Sequence, residues 1–240
     1  MFAKKLDRRL VSLTAPTSLE AEQYQALRLK LESLQRSRGV RVMAITSPGV
    51  KDGKSVTAIN LAAALAQGSD ARVLLIEADL RRPAVARYLR LREKQAPGLA
   101  DIVDDPNRPL RDAIVDAGPH RFDVMFAGST VAPIHELLRS PRLGTLLQEA
   151  RDQYDYVLLD TPPLGPVSDC ALLARWTDGV LLVVAAHRTS RKLLEGTLNL
   201  LEDASVLGIV FNGDVRRFLR YRRHSYRDYF SQAIRVRPTV

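Results

Sequence analysis

Cysteine is almost absent from this 240-residue chain: Cys170 stands alone, so no internal disulfide can form, and a reducing compartment is compatible. No apolar run approaches the ~18 residues that a membrane-spanning helix needs, and the longest, such as 180–186, stops far short. The first thirty residues contain no apolar signal-peptide core. The four histidines, His120, His135, His187 and His224, are scattered without the spacing of a zinc site. Internal repeats and low-complexity tracts are missing as well. These absences predict a soluble, intracellular globular protein, and the length suits one α/β core with appendages. Cys170 reads as a small buried thiol and the single Trp176 as a core residue.

The charge that is present is unevenly spread. Of the net +9, residues 215–240 hold eight arginines against one acid, Asp228, or +7, which leaves about +2 (9 − 7) for the rest. Basicity confined to a tail points to a segment that meets an anionic surface, an acidic neighbour or only water. Residues 1–17 also begin basic, with Lys4, Lys5, Arg8 and Arg9, and read as a flexible extension. Ser18 then has the chemistry of a helix N-cap, with Glu20 and Glu22 in the first turn. Tyr24, Leu27, Leu31 and Leu34 recur at helical spacing until Gly39 stops the run.

From residue 40 short apolar strands alternate with amphipathic helices. Strands are predicted at 40–46, 72–76, 122–127, 156–159, 179–185 and 206–211, and helices at 55–67, 83–89, 143–153, 170–176 and 190–203. Strands that are apolar throughout and separated by helices predict a mostly parallel sheet covered on both faces. The expected organisation is an α/β P-loop domain over 18–213, with 18–38 as its leading helix, and a tail over 214–240.

Between the first strand and its helix lies the stretch Ser47, Pro48, Gly49, Val50, Lys51, Asp52, Gly53, Lys54, Ser55, the setting a phosphate-binding loop requires. Backbone N–H groups from Gly53 through Val56 would form an anion nest at the helix N-terminus. Lys54 would reach the phosphates, and the Ser55 hydroxyl would ligate Mg²⁺. The usual first glycine of the motif falls at position 48, where proline stands. Two further strands end in acids: one runs into Glu77, Asp79 and Arg81, the other into Asp160. In an open α/β sheet ligands gather beyond the carboxyl ends of the strands, so these three ends are expected to converge on Mg-ATP. Taken singly, each acid is better read as a helix cap; the three strand ends together favour the nucleotide site.

The same residues resemble those of the bacterial tyrosine kinases of capsule and exopolysaccharide synthesis, P-loop ATPases with a deviant Walker motif related to the MinD and ParA group. The resemblance runs from about Ser18 to Gly213. Lys54 and Ser55 match that family's Walker A, Asp79 and Arg81 its Walker A′ with the Arg81-Arg82-Pro83 ending, and Asp160 to Pro163 its Walker B. Weaker echoes are 97–99, 136–138 and 207–213, the last including Asn212.

The resemblance implies an autophosphorylating protein-tyrosine kinase that regulates exopolysaccharide or capsule polymerisation and export. Lys54, Glu77, Asp79, Arg81 and Asp160 would form its catalytic set, with Glu77 as the base for a tyrosine. Gly53, Lys54, Ser55, Val56 and Asn212 would hold ATP, and Ser55, Asp79 and Asp160 the Mg²⁺. Tyr221, Tyr226 and Tyr229 would be phosphoacceptors offered to a neighbouring subunit; their other reading is packing residues of a last helix. A membrane-embedded chain-length regulator is implied as activator, holding the chain at the inner face of the cell membrane, and no specific nucleic acid is expected. The family's ring-forming motif, Glu-x-x-Arg-x-x-Arg, has Glu22 and Arg28 here but Gln25 at its centre, so one charged contact is missing. Glu77 stands where the family has aspartate, which moves the carboxylate by one methylene. Two alternatives stay open: a catalytically weakened ATP-binding regulator, and a MinD/ParA-like ATPase on membrane or DNA. Gly49, at the place of the signature lysine of MinD and ParA, counts against the second.

Overall fold

The computed structural model describes residues 6–91, 96–129, 132–165, 169–201 and 204–214. The strands are β1 (Val42–Thr46), β2 (Val73–Glu77), β3 (Val115–Asp116), β4 (Asp123–Met125), β5 (Tyr156–Asp160), β6 (Gly179–Ala185) and β7 (Val206–Asn212). They form one sheet in the order β3-β4-β2-β5-β1-β6-β7. Every pair is parallel except β3 with β4. The short antiparallel edge β3 has no counterpart in the sequence reading, because two residues carry no periodicity.

Helices α1 (Val11–Thr14), α2 (Leu19–Arg38), α3 (Lys54–Ser69), α4 (Val85–Leu89), α5 (Leu99–Asp104), α6 (Ile134–Arg139), α7 (Pro141–Gln153), α8 (Asp169–Ala174) and α9 (Arg191–Asn199) surround the sheet. Strand residues alternate between the two faces of the sheet. Met43, Ile45, Leu75 and Leu158 pack under α3, while Val42, Leu74, Ile76, Val157 and Leu159 pack under α5 and α7. Apolar groups on both faces are why β1, β2, β5 and β6 are buried along their whole length.

The ends of α2 follow local rules. The Ser18 side chain accepts the Ala21 N–H at 3.1 Å, and Gly39 closes the helix at φ +69°, where a residue without Cβ is at ease. The preceding segment, expected as a flexible extension, is packed over its described part. Leu10 is fully buried, and Asn60 of α3 clamps the segment by accepting the Ser12 N–H and donating to the Arg9 carbonyl. A sequence rich in Lys and Arg hides such docking, which rests on one apolar residue and one distant amide. Cys170 is buried, as expected. Trp176 is instead 37% exposed and lies over Gly144, where a side chain would collide with its ring. Among the described residues no helix is long and apolar enough to cross a membrane. The tyrosines Tyr221, Tyr226 and Tyr229 lie outside the described residues.

Candidate active site

Strands β2, β5 and β1 are consecutive in the sheet, and their carboxyl ends come together. Asp160 lies in register with Ile45 on one side and Glu77 on the other. The segment after β5 is tied to β1 and the turn after β2 to β5: the Thr161 N–H reaches the Ile45 carbonyl, and the Ala78 N–H reaches the Asp160 carbonyl. The predicted convergence of three strand ends is therefore present.

Gly53 is the pivot of the phosphate loop. Its φ is +102°, and a Cβ there would come within 1.9 Å of Asn212 Nδ2, so backbone freedom and space both require glycine. The Asn212 side chain donates to the Asp52 carbonyl at 2.9 Å, which makes it a buttress behind the loop. Pro48 sits where the motif usually has glycine, and its carbonyl is used instead, accepting the Gly165 N–H at 3.2 Å. Ser55, in the first turn of α3, has little exposure, and Val56 packs against the core beside it.

Lys54 carries the centre of charge. Its Nζ donates to Asp79 Oδ2 at 2.8 Å and lies 4.0 Å from Asp160 Oδ1. Burial disfavours the lysine's charge, but Asp160 and Asp79 outweigh it and hold its pKa above the ordinary lysine value. Asp160 is only 1% exposed, and among the described residues neither carboxylate oxygen has a partner of good hydrogen-bond geometry. Burial pushes its carboxyl up to about 6, opposed by the Lys54 charge and the Ser55 hydroxyl and reinforced by Asp79. A buried carboxylate that is nearly orphaned costs free energy unless a cation completes it. Mg²⁺ bound through one or two carboxylates plus phosphate oxygens fits this donor set, whereas among the described residues no cluster of three His, Cys, Asp or Glu could hold a metal without such help.

The other two site residues make contacts that the sequence alone does not show. Arg81 forms a bidentate pair with the buried Asp169, Nε to Oδ2 at 2.6 Å and Nη2 to Oδ1 at 3.2 Å, which fastens the turn after β2 to the start of α8. Glu77, expected as a base, is fully buried, with its carboxylate turned to backbone N–H groups. Oε1 accepts from Ala84 and from Val85, the latter at 2.6 Å, and Oε2 accepts from Ala127 at 3.4 Å. Burial pushes its carboxyl up to about 7, against the lowering effect of those N–H groups. Beside the turn opens a cleft of about 570 Å³, lined by Leu80, Arg81, Ser129, Pro133, Ile134 and His135.

Three contributors escaped the sequence reading. Asp52, 3% exposed, accepts the Gly49 N–H at 2.9 Å, Arg188 Nη2 at 2.8 Å and the Thr189 hydroxyl at 3.3 Å. Arg188 also donates to the Lys51 carbonyl. Arg188 and Thr189 come from the loop after β6, more than 130 positions away, and no local pattern marks such a partner. In the proposed self-association helix, Arg28 is paired within its own chain, to Glu32 at 2.5 Å and Gln25 at 2.8 Å.

Comparison with known proteins agrees with this geometry. The family model described as "AAA domain" matches residues 40–207. Tyrosine-protein kinase YwqD of Bacillus subtilis is 31% identical over 231 residues, covering 95% of this chain and 96% of its own length. The putative tyrosine-protein kinase EpsB of Ralstonia solanacearum is 33% identical over 95% of this chain, which spans only 31% of that longer protein. The solved kinase domain of the Escherichia coli tyrosine kinase ETK superposes with a TM-score of 0.81 at 29% identity, covering 88% of this chain and 82% of that one. A P-loop locked between Asp52 and Asn212, acids at two neighbouring strand ends and these relatives together place the chain in the AAA-domain P-loop ATPases and, within them, in the family of bacterial tyrosine-protein kinases.

Proposed function

We propose that this chain binds Mg-ATP and transfers the γ-phosphoryl group to tyrosines of the 214–240 tail, offered by a neighbouring copy, as part of the control of exopolysaccharide or capsule polymerisation and export. The observation that carries the reading is the buried Lys54–Asp79–Asp160 group at the end of three adjacent strands, with both Asp160 oxygens nearly orphaned. Ser55, Asp79 and Asp160 would hold Mg²⁺. Held there, Mg²⁺ would supply positive charge to offset the negative charge that develops on the phosphates during transfer. Lys54 swings from its Asp79 partner to the phosphates, and the amides around Gly53, Lys54, Ser55 and Val56 orient them. Arg81 holds the turn that carries Asp79 and borders the cleft through which an acceptor side chain enters.

Phosphorylation of Tyr221, Tyr226 and Tyr229 adds about −1.5 to −2 charges each, roughly −4.5 to −6 in total. That cancels most of the +7 borne by residues 215–240, so transfer also changes what the tail attracts. The proposed partner is a membrane-embedded chain-length regulator that holds the chain at the inner face of the membrane. Self-association through α2 would have to do without an arginine at position 25 and with Arg28 already paired.

The test is mass spectrometry for phosphotyrosine on the purified chain after incubation with Mg-ATP, with and without the membrane partner. Phosphotyrosine that disappears in Lys54→Met and in the Tyr221/Tyr226/Tyr229→Phe triple variant supports the kinase. ATP binding with no phosphotyrosine, even with the partner supplied, identifies a non-transferring regulator instead. Hydrolysis of ATP stimulated by lipid or DNA identifies a positioning ATPase.

A further inference from the structure

We propose that Glu77 is a positioning residue, the staple that closes the turn carrying Asp79 and Arg81, and that it is not the group that takes the proton from the acceptor tyrosine. The inference rests on the ATP-site reading above, but not on phosphoryl transfer itself.

The turn leaves β2 after Glu77 and re-enters regular structure at α4. Glu77 Oε1 accepts the N–H groups of Ala84 and Val85, seven and eight positions ahead, so one carboxylate ties the last residue of β2 to the first turn of the next helix. Its Oε2 reaches the Ala127 N–H beyond β4 and links the staple to the neighbouring strand. Within the closed segment the Arg82 N–H donates to Asp79 Oδ1 at 3.0 Å, the Ala78 N–H is held by the Asp160 carbonyl, and Asp79 presents Oδ2 to Lys54. Fixing both ends of a six-residue connection removes most of the conformational freedom that would let Asp79 drift from Lys54.

A general base must bring a free lone pair within hydrogen-bond reach of the proton it takes. The Glu77 carboxylate is fully buried and aimed at three backbone donors. Phosphoryl transfer through a loose transition state depends mainly on positioning and charge neutralisation, which the remaining residues supply. The staple also accounts for the side-chain length. An aspartate at 77 would end one methylene, about 1.5 Å, short of the Ala84 and Val85 amides. Glutamate is the acid that reaches them from the end of β2.

Glu77→Gln and Glu77→Asp separate the roles, because glutamine keeps a carbonyl oxygen for the two amides and aspartate keeps the charge but loses the reach. Four measurements apply: backbone amide hydrogen exchange at Ala84 and Val85 without nucleotide, the dissociation constant for ATP, the KM for ATP and the rate of phosphotyrosine formation. For Glu77→Gln the staple predicts exchange and ATP affinity within about 3-fold of the parent chain, and a transfer rate within about 5-fold. For Glu77→Asp it predicts exchange at those two amides at least ~10-fold faster and an ATP KM raised about 10-fold, with kcat reduced less than KM is raised. A Glu77→Gln chain that keeps its protected amides but loses ~100-fold or more in rate would establish Glu77 as a base and overturn the proposal. Unchanged protection of Ala84 and Val85 in Glu77→Asp would overturn it as well. If the parent chain forms no phosphotyrosine, the kinase reading fails, while exchange and ATP affinity still decide for or against the staple.

Discussion

Replacing Asp160 by asparagine should make the nucleotide-free protein more stable while abolishing its response to Mg-ATP. The carboxyl has a pKa of about 6 in the fold against 3.8 for the unperturbed group, with burial as the main cause. Because the folded pKa is raised, the folded chain binds the proton more tightly than the unfolded chain does, and stability falls as pH rises between the two values. At about 1.4 kcal/mol per pH unit, ionised Asp160 costs the fold about 3 kcal/mol above pH 6 and about half of that at pH 5. Asparagine keeps the shape and removes the charge, so at pH 8 the variant should gain up to about 3 kcal/mol. For a domain of this size that is a rise in Tm of roughly 6–12 °C. The assay is thermal melting from pH 5 to pH 8, without nucleotide and then with Mg-ATP. The parent chain should rise in Tm on Mg-ATP addition, and the variant should not. A nucleotide-free variant that melts at or below the parent at pH 8, or a gap that does not shrink toward pH 5, would refute the reasoning.

Lys54→Met should do the opposite to the apo protein. It leaves Asp79 and Asp160, 4% and 1% exposed at their side chains, without their cation, at a cost of about 3–5 kcal/mol in chemical denaturation. Adding Asp79→Asn should restore part of that loss. Gly53→Ala places a Cβ against Asn212 Nδ2 at φ +102°, and calorimetry should show ATP affinity reduced at least ~10-fold. Adding Asn212→Ala relieves the collision but not the backbone strain, so affinity should recover only in part. Arg188→Ala leaves Asp52, 4% exposed at its side chain, with only the Gly49 N–H and the Thr189 hydroxyl among the described residues, so stability should fall by about 1–3 kcal/mol. The freed Asp52 loosens the loop, and the ATP KM should also rise several-fold.

Patterns within one element were legible before any coordinates. The apolar runs at 40–46, 72–76 and 156–159 announce buried parallel strands, and acids that follow such runs fall at one edge of the sheet because parallel strands all end on the same side. Ser18 and Gly39 bound α2 through local chemistry alone. Less legible were contacts between distant segments. Nothing in the neighbourhood of Asp52 names Arg188, and nothing near Arg81 names Asp169. Glu77 shows what motif position alone does not reveal: the acid lies in the expected place, and its longer side chain reaches the Ala84 and Val85 amides. Short elements such as α5 and α6, six residues each, are too brief to show helical periodicity.

The amide of Asn212 supports the phosphate loop from the last strand of the sheet, 160 positions after Asp52. The loop is translated early, yet the contact that shapes its pivot arrives only when β7 has been made. On the ribosome, a nascent chain with its P-loop already exposed would lack that support until Asn212 had cleared the exit tunnel and β7 had docked beside β6. Competence to hold nucleotide would then begin only with near-complete synthesis of the domain, and a fragment ending before residue 212 would display the motif without its final shape.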